Sequence, residues 1–409
     1  MKIDQSRLER QRQGLKLWKN QDYKGTLRWA TGVGKTFAGI LAIKHIRKRN
    51  PDAFVIVSVP TDNLRTQWRN RLAEHNLNRV YVDTVHSLVG KNHECDFFIM
   101  DEIHSYTGGE VFSTLFDCVN RSYTLGLTAR ERDKPEDQAI LNKNAPVIDI
   151  ITLEEALKNG WVSAFQVYNY GLELTSNDRL EYDKINKQYN KYFSTFDFDF
   201  ELAMKCLKSD NARQATAHNM MMDKDTVDIH TFQFNRVMQK RKKFLYNSEA
   251  IKLIAVKAMK KFSDKKIITF SETQSMADEL TKAMGCEARS YHTNLPTIKI
   301  DGKKYAAKRQ KDLYLEWFKN NKIRIINSVR SLNEGTDIPD VDMSIKTAFN
   351  STIRDSIQRL GRTLRKNGDK QAVELNLYIV NSQSEKWLRK SQKETPNVKW
   401  INSLDQIKH

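Results

Sequence analysis

Short apolar runs alternate with polar, helix-patterned stretches over the first 130 residues. Leu27-Arg28-Trp29, Phe54-Val55-Ile56-Val57-Ser58-Val59, Val80-Tyr81-Val82, Phe97-Phe98-Ile99-Met100 and Tyr123-Thr124-Leu125-Gly126-Leu127 have the length and the β-branched and aromatic content of strands. A helix starting at Lys35 repeats Phe37, Ile40, Leu41 and Ile46 on one face. Strands separated in this way need crossover helices, so a mostly parallel sheet is expected. From about residue 171 to 250 the pattern changes to polar, aromatic and Met-rich sequence. Phe234, Val237, Met238, Arg241, Phe244 and Leu245 fall at helical spacing there, with the Arg241 stem lying along the stripe. Met220-Met221-Met222 reads as gap-filling core or, alternatively, as a plastic contact surface.

After a helix over 249–262, strand-like runs return at Ile267-Ile268-Thr269-Phe270, Ile323-Arg324-Ile325-Ile326, Ser344-Ile345-Lys346 and Leu375-Asn376-Leu377-Tyr378-Ile379-Val380. The expected organisation is an α/β lobe over 1–169, a helical insert or linker over 170–248 and a second α/β lobe over 249–409. A chain of 409 residues is long enough for two or three domains.

Composition narrows the class. Apolar residues make up 39% and charged residues 29%, and no run of eighteen apolar residues could span a bilayer. The start, Met1-Lys2-Ile3-Asp4-Gln5, has no secretory pattern, so a cytoplasmic, non-membrane protein is expected. Cys95, Cys118, Cys206 and Cys286 form no CxxC pair and are expected to be core thiols. The formal net charge is +18, and residues 251–409 hold 31 Lys and Arg against 18 Asp and Glu. Such an excess suits a polyanion lying against the C-terminal half, or a solvated basic surface.

Two segments carry nucleotide chemistry. Ala30-Thr31-Gly32-Val33-Gly34-Lys35-Thr36 follows a strand and opens a helix. In that setting backbone N–H groups and the helix N-terminus cradle phosphates, Lys35 reaches the β- and γ-phosphates, and the Thr36 hydroxyl takes Mg²⁺. Trp29 stands where the usual pattern begins with Gly or Ala. The second segment is a strand ending in Asp101-Glu102-Ile103-His104. Asp101 is the expected Mg²⁺ ligand through water, and Glu102 orients or deprotonates the attacking water.

The ordered set Gln11, ATGVGKT, VPTDNLRTQW, DEIH, GLTAR, NEGTDIP and QRLGRTLR resembles the motifs of superfamily 2 helicases over residues 5–165 and 250–380. It looks most like the DEAH-box branch that includes DNA-repair and restriction-enzyme motors and small phage helicases. The resemblance implies two RecA-like P-loop lobes, ATP and Mg²⁺ as cofactors, and adenine read by Gln11, with Gln13 competing for that role. It implies arginine fingers at Arg362 and Arg365 in the motif opened by Gln358, a contribution of roughly 10³–10⁵ in rate in related nucleotidases. A basic helix on a solvated face is the other reading of that segment. Gly335 and Asp337 lie in a turn expected to approach the nucleotide. His104 and Thr128 would couple hydrolysis to nucleic acid, although Arg130 follows Thr128-Ala129 where the family has Pro.

The resemblance also implies phosphate-backbone contacts from Pro60, Thr61, Arg65, Thr84, Thr273, Ser328 and Asn333, with low sequence specificity. Leu64 and Trp68 are expected to be core. Lys303, Lys304 and Lys308, in a basic stretch with Lys299, Arg309 and Lys311, suggest a β-hairpin leading into a helix. Such an element would act as a backbone clamp or strand-separating pin, unless it is only a solvated face. The expected function is an ATP-dependent helicase or translocase on single-stranded, forked or branched DNA, with a monomer as the working unit. A duplex translocase, an RNA helicase and an ATP-gated clamp are the alternatives.

Overall fold

Val55-Ile56-Val57-Ser58-Val59 shows why the first sheet forms. Val55, Val57 and Val59 pack into one core, while Ile56 packs into a second core on the opposite face. Phe97 and Ile99 likewise face the first core, and Phe98 and Met100 the second. A strand buried on both faces needs apolar residues throughout, as parallel sheets covered by helices require. The computed structural model describes residues 5–108, 110–131, 134–162, 164–329, 341–349, 372–392 and 396–408.

The first unit includes an α/β body that runs up to Gln166. Its strands are β1 (Lys24–Trp29), β2 (Val55–Val59), β3 (Val80–Thr84), β4 (His93–Asp101), β5 (Val119–Thr128) and β6 (Val147–Ile151). They lie in the order β3-β2-β4-β5-β1-β6, and each neighbouring pair is parallel. The helix α1 (Gln5–Asn20) buries Gln11, Gly14, Leu15 and Trp18. The helix α2 (Lys35–Arg49) buries Ala38, Gly39, Ile40, Ala42, Ile43 and Ile46. Of the expected stripe, Ile40 and Ile46 face the core while Phe37 and Leu41 are only half-buried, and Ala38, Gly39, Ala42 and Ile43 complete the inward face. The helix α3 (Asp62–Glu74) is capped by Thr61, whose hydroxyl accepts from the Leu64 amide, and buries Leu64, Trp68 and Leu72.

The second unit is built on a seven-stranded sheet of β7 (Phe165–Leu172), β8 (Ile267–Ser271), β9 (Ala288–Tyr291), β12 (Ile325–Val329), β13 (Met343–Lys346), β14 (Ala372–Ile379) and β15 (Val398–Ile401). Their order is β15-β7-β14-β13-β8-β12-β9. The strand β7 crosses the expected 169/170 boundary because it pairs in parallel with β15 in this second sheet. Between β7 and β8 come the helices Ser176–Phe193, Phe200–Lys208, Asp210–Asn219 and Lys224–Tyr246, held by a core that includes Phe196, Phe234, Val237 and Met238. The Arg241 guanidinium lies 3.5 Å from the Tyr189 ring centroid and donates to Asn186 at 3.0 Å, so its stem does follow the apolar stripe.

Two side-chain expectations fail. Met221 is 96% exposed in a turn with φ of 52°, so the methionine run does not fill the core. Of the four cysteines, Cys206 is buried, Cys95 and Cys118 are half-buried and Cys286 is exposed, so the expectation of core thiols holds fully only at Cys206. Among the described residues no helix is long and apolar enough to cross a membrane.

Candidate active site

The phosphate loop joins β1 to α2 and depends on backbone that only glycine adopts readily. Gly32 and Gly34 have φ of 91° and 98°. A Cβ at Gly34 would also lie 2.5 Å from Gln11 Nε2 and 3.0 Å from an Arg7 nitrogen. Those two side chains hold the loop from α1. Gln11 Nε2 donates to the Val33 carbonyl at 2.6 Å, and Arg7 donates to the carbonyls of Val33 and Gly32 at 2.9 and 2.6 Å. Gln11 is therefore buried against the loop, and Arg7, which sequence reading passed over, shares its task. Lys35 is buried, with Nζ donating to the Trp29 carbonyl at 3.2 Å, and Thr36 is half-buried at the helix start. The Thr31 hydroxyl is buried with no hydrogen-bond partner among the described residues.

The acidic pair lies at the end of β4, one strand removed from β1 across β5. Asp101 and Glu102 are both buried. Asp101 Oδ2 accepts from the indole N–H of Trp68 at 2.8 Å and Oδ1 from the Glu102 amide at 3.1 Å. Tyr106 donates to the Asp101 carbonyl at 3.0 Å and fixes the strand end. Glu102 sits in left-handed backbone, φ 52° and ψ 49°, an uncommon conformation for a residue with a side chain. Its carboxylate lies 3.5 Å from His104 Nδ1, and that nitrogen is 2.8 Å from the Thr128 hydroxyl at the end of β5. Thr128 also donates to the Arg130 carbonyl at 2.7 Å and accepts from the Arg130 amide at 3.2 Å. The residue that replaces the family's proline thus joins this link through its backbone.

These side chains fit a Mg²⁺–nucleotide. The cradle is lined by Gly32 and Gly34, an ammonium stands at Lys35, and a hydroxyl and a carboxylate stand at Thr36 and Asp101. Among the described residues no cluster of three or more His, Cys, Asp or Glu side chains forms a metal cage. A cation held by one carboxylate, one hydroxyl and phosphate oxygens needs none.

Of the nucleic-acid candidates, Pro60 and Thr61 follow β2, and Thr61 is spent on capping α3. Arg65 is paired with Asp62 and Asp83, each at 2.8 Å. Burial alone would raise the Asp83 carboxyl. Hydrogen bonds from Tyr81, the Thr84 amide and Arg65 outweigh it and bring Asp83 down to about 2. The Thr84 hydroxyl lies 3.0 Å from that of Ser87. In the second unit Thr273 caps the helix Gln274–Met284 and donates to Asn247 at 2.5 Å. Ser328 is buried, its hydroxyl without a hydrogen-bond partner among the described residues.

The expected hairpin is present as β10 (Ile298–Ile300) and β11 (Lys303–Tyr305), joined by Asp301-Gly302 with φ of 49° and 76°. Asp-Gly with both φ positive is a tight hairpin turn. The register sets Lys299 opposite Lys304, and Lys303, Lys304 and Lys308 are exposed. Like charges facing each other destabilise a ladder, so this two-stranded ribbon carries its charge at a cost. Gln358, Arg362, Arg365, Asn333, Gly335 and Asp337 lie outside the described residues.

Known proteins match both parts of the chain. Residues 246–367 match the family model described as helicase conserved C-terminal domain, and residues 2–81 that of the type III restriction enzyme res subunit. The DNA 3'-5' translocase XPB2 of Sulfurisphaera tokodaii is 23% identical over 388 residues, covering 89% of this chain and 79% of the relative. The Hef helicase domain of Pyrococcus furiosus superposes with a TM-score of 0.58 at 14% identity, covering 93% of this chain and 97% of that one. The ATP-dependent type ISP restriction-modification enzyme LlaBIII, solved bound to DNA, gives a TM-score of 0.60 at 16% identity over 100% of this chain and 32% of the enzyme. These structural likenesses establish the fold, two parallel α/β sheets of the RecA-like kind. A helicase C-terminal segment and a restriction-enzyme res-subunit segment are thus matched on the two parts of the chain, a likeness to the superfamily 2 helicases.

Proposed function

We propose that this chain is a DNA-stimulated ATPase that moves along DNA or unwinds it, with ATP and Mg²⁺ as cofactors. The observation that carries the reading is the arrangement at one edge of the first sheet. The phosphate loop follows β1, Asp101 and Glu102 end β4, and β5 between them ends in Thr128, which touches His104. Lys35 sets its ammonium against the terminal phosphates. Glu102 orients the attacking water and accepts its proton on a carboxylate oxygen. Asp101 and Thr36 would hold the Mg²⁺, which when bound neutralises charge on the phosphate oxygens. Gln358, Arg362 and Arg365 complete the proposed catalytic set, the two arginines stabilising the transferring phosphoryl group. The Glu102-His104-Thr128 chain of contacts is the proposed route from hydrolysis to the nucleic-acid side.

DNA is favoured because the matched relative carries the name of a DNA translocase and one structural neighbour was solved on DNA. The basic hairpin supports phosphate contacts in the second unit, as a clamp or a separating pin. ATPase stimulation by single-stranded, duplex and branched DNA and by RNA at matched salt tests the reading. DNA should stimulate more than RNA. In the same assay Glu102→Gln should abolish turnover yet still bind ATP, and Lys35→Ala should lose both. Stimulation by RNA alone, or wild-type turnover in Glu102→Gln, would falsify it.

A further inference from the structure

Trp68 is fully buried, yet its indole does more than fill space. Its one polar atom donates to Asp101 Oδ2 at 2.8 Å. Its far edge passes the helix that starts from the phosphate loop, where a Cβ on Gly39 would lie 2.6 Å from Trp68 Cη2. Gly39 is one turn after Lys35, so the ring reaches the carboxylate only because α2 has no side chain at that position. We infer that Trp68 is a positioning residue that orients the Asp101 carboxylate for the cation, and that Gly39 is the relief that admits it. The inference rests on the reading of Asp101 as a Mg²⁺ ligand.

The choice of donor has a physical reason. An indole N–H is neutral and planar and never deprotonates in the working range, so it fixes a carboxylate without cancelling the charge that the cation needs. A Lys or Arg at this place would hold Asp101 and compete with the metal. The second oxygen is held by the Glu102 amide at 3.1 Å, so both ends of the carboxylate have a fixed donor. Ligands held in this way by outer partners lose roughly 10–100-fold in metal affinity when the partner is removed. Trp68 also lies one turn beyond Arg65 on α3.

The test measures Mn²⁺ binding by electron paramagnetic resonance in the presence of adenosine imidotriphosphate, alongside metal-free binding of the same nucleotide. Trp68→Phe keeps the aromatic bulk and removes the donor. It should weaken Mn²⁺ roughly tenfold or more while metal-free nucleotide affinity holds within about twofold. Unchanged Mn²⁺ affinity in folded Trp68→Phe overturns the inference, as does an equal loss of metal-free nucleotide binding. Asp101→Asn separates the two levels of the reading: wild-type Mn²⁺ affinity there means that Asp101 is no ligand, and the inference falls with it. Should Trp68→Phe fail to fold, Gly39→Ala pushes on the ring from α2, and unchanged Mn²⁺ affinity in that protein also overturns it.

Discussion

Removing the Arg7 guanidinium should loosen the phosphate loop without unfolding the first unit. Arg7 donates twice, to the carbonyls of Val33 and Gly32 at 2.9 and 2.6 Å, from a half-buried position on α1. A hydrogen bond from a charged group contributes about 1.5–3 kcal/mol when sheltered, and water replaces part of that here. A net loss of about 1–2 kcal/mol is expected for the two together. The loop would then populate its binding-competent form less, and ATP affinity would fall by roughly 5–30-fold. Titration of Arg7→Ala with a fluorescent ATP analogue, beside a thermal melt, measures both quantities. Arg10→Ala is the matched control. Arg10 binds Asp149, Glu155 and the Ile150 carbonyl and so ties α1 to β6 instead of to the loop. It should lower the melting temperature and leave the affinity of the folded protein nearly unchanged. Binding by Arg7→Ala within twofold of wild type, with the fold intact, would refute the reasoning and leave Gln11 and the glycine turns to hold the loop.

Three other outcomes follow from the same geometry. Replacing Lys303, Lys304 and Lys308 with Ala should flatten the slope of log DNA affinity against log salt by about two to three units if the hairpin grips phosphates, since each contact contributes roughly 0.7–0.9. An unchanged slope with unwinding lost marks a pin, and an unchanged slope with unwinding intact leaves a solvated face. Thr128→Val removes the hydroxyl shared by His104 and Arg130, so DNA-stimulated turnover should fall more than basal turnover, and an unchanged ratio of the two rates would deny it a coupling role. Asp83 has its carboxyl held down at about 2, below the usual value near 3.9, so its stabilisation is complete above about pH 4 and is lost as pH falls through 2. Thermal melts should show a constant gap between wild type and Asp83→Asn down to about pH 4 and a narrowing gap below it; a gap that stays constant to pH 3 contradicts the assignment.

The sequence by itself determined the elements whose burial is one-sided or complete. Val55–Val59, with Ser58 its one polar position, and Phe97–Met100 are apolar runs, and Gly34-Lys35-Thr36 and Asp101-Glu102 carry chemistry at a fixed distance from a strand end, so local pattern is enough. The offsets of Gln11, Gly14, Leu15 and Trp18 showed the buried face of α1 for the same reason. The strands β6 and β7 are not legible in the sequence because their buried polar residues are satisfied by distant ones. On β7 Asn169 is fully buried, meeting Asn376 and Gln392 more than 200 positions away, and on β6 Asp149 receives Arg10 and the Trp29 indole. Trp68 was read as core because its helical spacing says only that it faces inward. That its single N–H meets Asp101, and that Gly39 makes room for it, depends on two strands and two helices brought together by the packed sheet, and no spacing along the chain encodes that distance.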